Sequence, residues 1–324
     1  MQFALLVPGQ GNQHPNMFKL LRNDPAARDV LAHAREIFGD EPHQLLADRK
    51  REDIYRNRFA QPLICTGAMA TWQALGSRLP RPDLVLGYSV GELAAYGVAG
   101  ALSVEETLRL ACRRASLMDT AAAAQSDGSS LLAVRGLNAA RIETLCNEYE
   151  VEIAAINGRS HFVLGGPNTN LLSVRAAAAA QGATLVRQLD VALASHTSLL
   201  RAAGVAFRNE LNAARLRDPV TPLLAGVDAR LVKTRADGID ALASQLYRPL
   251  AWSACLEGAI ARGCRVFLEL GPGYSLTRML REGHPHIAVR SVEEFTSLGA
   301  AADWAARALA RPAMEALSRG VSLH

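Results

Sequence analysis

The sequence predicts an α/β protein: a large, mostly parallel sheet covered on both faces by helices, with a small unit of different topology inserted into it. Three observations carry this. Short apolar strands alternate with helices over roughly the first 122 residues, as parallel strands joined by helical crossovers do. From about residue 129 the order becomes strand, helix, strand, strand, helix, strand. Beyond residue 194 the alternation of strand and helix returns.

In chain order, "QFALLV" (2–7) is expected to be an opening strand that stops at Pro8 and, with no basic flank, to be no signal peptide. An amphipathic segment covers about 16–38, and 61–79 ("QPLICTGAMATWQALGSRL") is helical. The strand "DLVLG" (83–87) and the helix "VGELAAYGVA" (90–99) follow. A helix over 104–122 starts at Ser103, with Glu106 as its capping-box partner. The β-α-β-β-α-β pattern over 128–193 is ferredoxin-like, with Asn157-Gly158 as the turn of its hairpin. It divides the chain into a large domain of 1–127 and 194–324 and an inserted subdomain of 128–193. The large domain then continues with the strand "VTPLLAGVDA", helices near 236–247 and 253–262, the strand "RVFLELG", a helix over 275–282 and the strand "IAVRSV".

The chain has 324 residues, 49% hydrophobic and 20% charged, which places it among soluble globular proteins. No apolar run is long and unbroken enough to span a bilayer, so a cytoplasmic, membrane-free protein is expected. Five scattered cysteines (65, 112, 146, 255 and 264) form no CxxC pair, and no metal site is expected. The net charge is +4 and only Lys19, Lys50 and Lys233 are lysines; with 5% aromatic residues and no basic stripe, nucleic-acid binding is not expected. A mild positive balance suits an acidic macromolecular partner.

The chemistry centres on "LGYSVGE" (86–92). Here Ser89 stands in G-x-S-x-G between a strand and a helix, the setting of a nucleophile elbow in an α/β-hydrolase-like domain. "VPGQG" (7–11) can present backbone N–H groups into a cleft, and it lacks the third glycine of a dinucleotide fingerprint. "ASHTSLL" (194–200) places His196 where the chain leaves the insert, "QLYRPLAW" carries Gln245, and "ACRRASLMD" sets Arg113 and Arg114 in an apolar helix. Leu110, Ala111, Leu117 and Met118, three and four positions away, put Arg114 on the buried face.

Together with "QPLI", the insert's "NG" and "LELGPG", these motifs resemble, in order and approximate spacing, the malonyl-CoA:acyl-carrier-protein transacylase family over nearly the whole chain. The resemblance implies Ser89 as nucleophile and His196 as base, oriented by the backbone carbonyl of Gln245. It implies an oxyanion hole from the N–H groups of Gln10 and Val90, Arg114 for the malonyl carboxylate, and Gln61, Met118 and Asn157 lining the acyl pocket. It implies malonyl-CoA as substrate, an acyl carrier protein with a CoA-derived thiol arm as partner, and no tightly bound cofactor. Tyr88 stands where the family usually has histidine, and "GYSVGE" with "ASHTSLL" is most similar to the transacylase subunit of bacterial malonate decarboxylase.

Other readings remain. A serine hydrolase or thioesterase shares the elbow but needs an acidic orienter and has no use for a buried arginine. A fatty-acid or polyketide synthase malonyltransferase differs only in its carrier, and a silent acyl-binding subunit would not need Ser89, His196 and Arg114 together. Asn157 has a bland explanation in its turn, Gln10 and Gln61 in tying loops, and Arg113 in pairing with an acid one turn away. His14, His33, His43, His161, His284, His286 and His324 acquire no role.

Overall fold

A computed structural model describes residues 2–48 and 50–320; His324 lies outside them. The large sheet has strands β1 (Gln2–Val7), β2 (Leu84–Gly87), β7 (Leu223–Leu224), β8 (Leu231–Val232), β9 (Cys264–Glu269) and β10 (Ala288–Ser291) in the order β10-β9-β1-β2-β7-β8. Every pairing is parallel except β7 with β8. β1 is central, and its unbroken apolar run is what a strand buried on both faces requires. Phe3, Leu5 and Val7 face one core, while Ala4 and Leu6 face the other. The first core is closed by α4 (Asn57–Leu75), α5 (Val90–Val98), α6 (Val104–Ala123) and α9 (Arg201–Ala213). The second is closed by α11 (Trp252–Ala261) and α12 (Ser275–Gly283).

Residues 129–188 form a second, four-stranded sheet, every pairing antiparallel, in the order β4-β5-β3-β6. Its strands are β3 (Ser129–Arg135), β4 (Glu152–Gly158), β5 (His161–Pro167) and β6 (Leu185–Gln188); its helices are α7 (Ala139–Glu148) and α8 (Asn168–Ala180). The two-residue period sorts its side chains. Leu132, Val134, Phe162 and Leu164 pack under both helices, while Leu131 and Val163 face Leu250 and Tyr88 of the large sheet's surroundings. Leu250 N–H donates to Ala154 O at 2.9 Å and Ile156 N–H donates to Leu250 O at 2.8 Å, which stitches the segment around residue 250 to β4.

Several elements depart from expectation. The hairpin turn is Arg159-Ser160, and Asn157 and Gly158 belong to β4, where a register shift between Ile156 and Gly158 makes Asn157 an inward-turned bulge residue. "VTPLLAGVDA" is not one strand: it turns after β7 and returns as β8, with Asp228 accepting from the Arg230 N–H. At Ser103 only half of the capping box forms, because Glu106 turns its carboxylate to Arg109. The segment 16–38 is helical only as a 3-10 turn at Pro25–Ala27 and α1 (Arg28–Phe38). The short helices α2 (Pro42–Asp48) and α3 (Arg51–Ile54) and the long α13 (Leu298–Gly320) were not read from the sequence; α10 (Arg235–Ser244) was.

The elbow between β2 and α5 is held by close approach. A Cβ on Gly91 would stand 2.3 Å from the carbonyl oxygens of Val7 and Pro8, and one on Gly87 would stand 2.2 Å from the Glu92 Cα. Gly→Ala inside a helix ordinarily stabilises by about 1 kcal/mol. At Gly91 the sign reverses: overpacking against backbone should cost about 1–3 kcal/mol or more. Urea melts should show a clearly lower midpoint for Gly91→Ala, and near wild-type behaviour for Gly158→Ala, whose Cβ would meet nothing closer than 3.8 Å. An unchanged Gly91→Ala midpoint would contradict this account.

Candidate active site

Ser89 links β2 to α5 with φ 54° and ψ −124°, a conformation that a residue with a side chain rarely adopts. The strain lifts its hydroxyl out of the turn. Val90, the next residue, begins α5, so its N–H has no acceptor within the helix. The loop after β1 packs on the elbow: a Cβ on Gly9 would stand 2.8 Å from Tyr88 O and 3.3 Å from Ser89 Cβ, which sets Gln10 beside the serine. The Gln10 side chain donates to Asn57 Oδ1 at 3.0 Å, and Asn57 donates to Asp119 Oδ1 at 2.8 Å, so the loop is tied to α4 and α6.

His196 lies 107 residues further along the chain, and its Nε2 is 2.9 Å from Ser89 Oγ. Its Nδ1 donates to the main-chain carbonyl of Gln245 at 2.6 Å. That bond places the ring proton on Nδ1 and the lone pair of Nε2 toward the serine hydroxyl. No carboxylate takes part, and Asp190 lies after β6. His196 is 4% exposed; burial first, and then the Arg114 charge, push it down to about 3, against the pull of the Gln245 carbonyl. It is therefore a neutral base at working pH.

Behind the pair, Arg114 of α6 is 2% exposed. Its Nη1 donates to Gln61 Oε1 at 2.8 Å and its Nη2 to Gln245 Oε1 at 2.9 Å. Both acceptors are neutral, so the guanidinium has no carboxylate in contact, and burial pushes it down to about 10. Gln61 also donates to Met118 Sδ at 3.4 Å, so Gln61, Met118 and Arg114 form one cluster. Arg113, by contrast, turns outward to Glu210 on α9, on another helix and not one turn away on its own. Asn157 is brought to the Tyr88 phenol, which burial holds at about 12 against the opposing effect of Asn157. Tyr88 also meets Trp252 edge-on, with centroids 5.4 Å apart.

The sequence reading passed over Glu92, although it stands in the quoted "GYSVGE". It is fully buried, one helical turn after Ser89, and its Oε2 accepts from the Gln245 side chain. A cleft of about 990 Å³ lies nearby, between the start of α4, the end of α6 and strands β3 and β6. Asn57 and Asp119 are on its wall. Among the described residues, no three His, Cys, Asp or Glu cluster as a metal site, and no helix is long and apolar enough to cross a membrane.

This arrangement can take a proton from Ser89, offer the unpaired N–H of Val90 to an oxyanion developing on an attacked carbonyl, and meet an anionic substituent at Arg114. The depressed His196 value has a direct test. The imidazole should keep its neutral, Nδ1-protonated form at pH 5, where an ordinary histidine is mostly charged. Nitrogen-15 NMR of the ring reads this, and an imidazolium signal at pH 5 would overturn it.

The comparisons with known proteins agree on one family and one fold. Residues 5–305 match the family model described as an acyl transferase domain. The malonyl CoA-acyl carrier protein transacylase of Salmonella typhimurium is 29% identical over 308 residues, covering 93% of this chain and 98% of its own. An acyl-carrier-protein S-malonyltransferase from Burkholderia pseudomallei superposes with a TM-score of 0.88 at 27% identity, covering 94% of this chain and all of its own. A malonyl-transacylase solved with a type II polyketide acyl-carrier protein gives 0.87 at 25% identity, over 92% and 98% of the two chains. A strained serine, a neutral histidine and a matching family model over nearly the full length leave one assignment: the chain belongs to the acyl transferase domain family and is an acyltransferase.

Proposed function

We propose that the chain moves a malonyl group from malonyl-CoA to the thiol of an acyl carrier protein through a malonyl-Ser89 ester. The observation that carries this is Arg114, a buried guanidinium without a carboxylate partner, set behind the Ser89–His196 pair. A hydrolase of simple acyl groups has no use for it. The related transacylases named above support the same substrate and acceptor.

His196 Nε2 takes the Ser89 proton as Oγ attacks the thioester carbonyl. The N–H groups of Val90 and Gln10 receive the oxyanion. The C–S bond breaks, CoA leaves as a thiol with the proton from His196, and the ester remains. The carrier's thiol then gives its proton to His196 and attacks the ester carbonyl; the C–O bond to Ser89 breaks and Ser89 Oγ takes the proton back from His196. Arg114 pairs with the malonyl carboxylate, and Gln61, Met118 and Asn157 shape the space around it. The β3–β6 unit, read as a ferredoxin-like subdomain of 128–193 inserted into a hydrolase-like catalytic domain, closes the acyl pocket from above. The finer assignment is to the transacylase subunit of a malonate decarboxylase, and Tyr88 supports it. In the position usual for histidine, Tyr88 packs on both units at once.

A carboxylate that leaves water binds well only where a guanidinium replaces its hydration, and breaking a buried pair costs about 3–5 kcal/mol. Arg114→Ala should therefore lower malonyl transfer by on the order of a hundredfold to a few thousandfold. Acetyl transfer should change little, which moves selectivity from malonyl toward acetyl. Mass spectrometry of the intact protein with malonyl-CoA alone should show one malonyl group on the wild type and none on Ser89→Ala. Equal slowing of both acyl groups, or hydrolysis with no adduct, would refute the assignment.

Carrier identity is tested separately. A malonate decarboxylase carrier with its CoA-derived arm should be loaded much faster than a fatty-acid carrier in parallel assays. Equal rates would favour a synthase malonyltransferase.

A further inference from the structure

Among the buried titratable groups that the transfer chemistry leaves unused, Glu92 is hydrogen-bonded to the Gln245 side chain of the site. Glu92 is 0% exposed, yet its Oε2 accepts from Gln245 Nε2 and, at 3.1 Å, from the Gly226 N–H, while Oε1 has no partner. Burying a half-satisfied carboxylate is costly. The fold is nevertheless shaped around it: a Cβ at Gly226 would stand 2.6 Å from Glu92 Oε2.

What the carboxylate does follows from the amide beside it. Gln245 Oε1 faces a donor, Arg114 Nη2. Its Nε2 faces two acceptors, Glu92 Oε2 and, at 3.0 Å, the main-chain oxygen of Ser89. An amide can be turned over at little cost in shape, so only its partners decide its direction. Turned over here, it would set NH2 against the guanidinium and C=O against a carboxylate and a carbonyl. We propose that Glu92 is a positioning residue that, together with the Ser89 carbonyl, holds the direction of the Gln245 amide and so keeps Arg114 aimed at the substrate carboxylate. This rests on the malonyl-transfer reading above.

The mechanism is electrostatic as well as geometric. Glu92 and Arg114 are opposite charges on either side of one amide. The other titratable groups facing Glu92 are Asp228 after β7, Tyr96 on α5 and Cys255 on α11. Burial first pushes the carboxyl up to about 7, and the bonds from Gln245 and Gly226 oppose it. A protonated carboxyl carries an O–H donor and tolerates the reversed amide. The lock therefore weakens as pH falls through about 7.

The test is the ratio of malonyl to acetyl transfer, in which pH effects common to both substrates cancel. Glu92→Gln is nearly isosteric, but its amide accommodates either direction of Gln245. The ratio should fall about tenfold, the scale of one weakened hydrogen bond to a charged group. In the wild type the ratio should decline below about pH 7; in Glu92→Gln it should be flat. Gln245→Met keeps the main-chain carbonyl under His196 and removes the amide, so adding Glu92→Gln to it should leave the ratio where Gln245→Met alone puts it. If Gln245→Met does not fold, the pH comparison of wild type with Glu92→Gln decides alone. An unchanged ratio in Glu92→Gln, a ratio equally pH-dependent in both proteins, or additive effects in the double variant would overturn the proposal. Those results, with a malonyl-Ser89 adduct still formed, would leave the transfer reading standing; absence of the adduct in the wild type would remove both.

Discussion

The site depends on one buried amide residue. Gln245 is the residue at which α10 ends, and the last carbonyls of a helix have no partner within it. One of them, its own, receives His196 Nδ1, while its side chain reaches Ser89, Glu92 and Arg114. Nucleophile, base and the candidate anion-binding arginine come from segments more than a hundred residues apart or from different helices, and each is placed by its bond to this residue. Leu246 O accepts from the His196 N–H, and Leu250 is stitched to β4, so the segment that carries Gln245 is anchored on both sides.

Orienting a histidine by a helix-terminal carbonyl has electrostatic consequences. The C-terminal end of a helix carries partial negative charge, which favours the imidazolium formed while the proton is in transit. Arg114 opposes it, and burial opposes it more, so the resting base is weak. A carboxylate arriving at Arg114 cancels part of that opposition. Occupancy of the arginine by an anionic group and the basicity of His196 are thus coupled through space, because both side chains are buried.

The elbow, the strands β1, β2 and β9, the helices α5, α6 and α11, and the β-α-β-β-α-β order were legible because each is a local pattern: a period, a cap, a glycine spacing. What the sequence hid depends on partners far along the chain. "NG" is a turn signal in isolation, but a bulge in β4 moves the turn two residues on and points Asn157 inward. "VTPLLAGVDA" has the apolar content of a strand, but Gly226 is claimed by the Glu92 carboxylate and Asp228 by Arg230, so the run folds back. The alanine-rich α13 was passed over although its apolar face is no less marked than that of α6. The family resemblance implied Gln245 as a histidine orienter through its carbonyl. Its side-chain role was not visible, because an amide's function is set by whichever donor and acceptor stand opposite it, and those were known only once α5 and α6 were placed beside α10.

The same weak base bears on transfer against hydrolysis. An acyl-serine ester is exposed to both thiol and water, and the two differ in how much help they need. A thiol ionises near pH 8.5 and is intrinsically nucleophilic, whereas bulk water has a pKa of about 15.7. A general base contributes in proportion to its strength, and the slower reagent depends on it more. His196, pushed down to about 3 at rest by burial and by Arg114, must still assist the Ser89 hydroxyl, an acid about as weak as water, so preference for a thiol comes from the thiol's own acidity and nucleophilicity. Hydrolases commonly strengthen the histidine with a buried carboxylate on Nδ1. Here a neutral carbonyl occupies that place, and the nearby carboxylate, Glu92, is turned toward an amide and away from the ring.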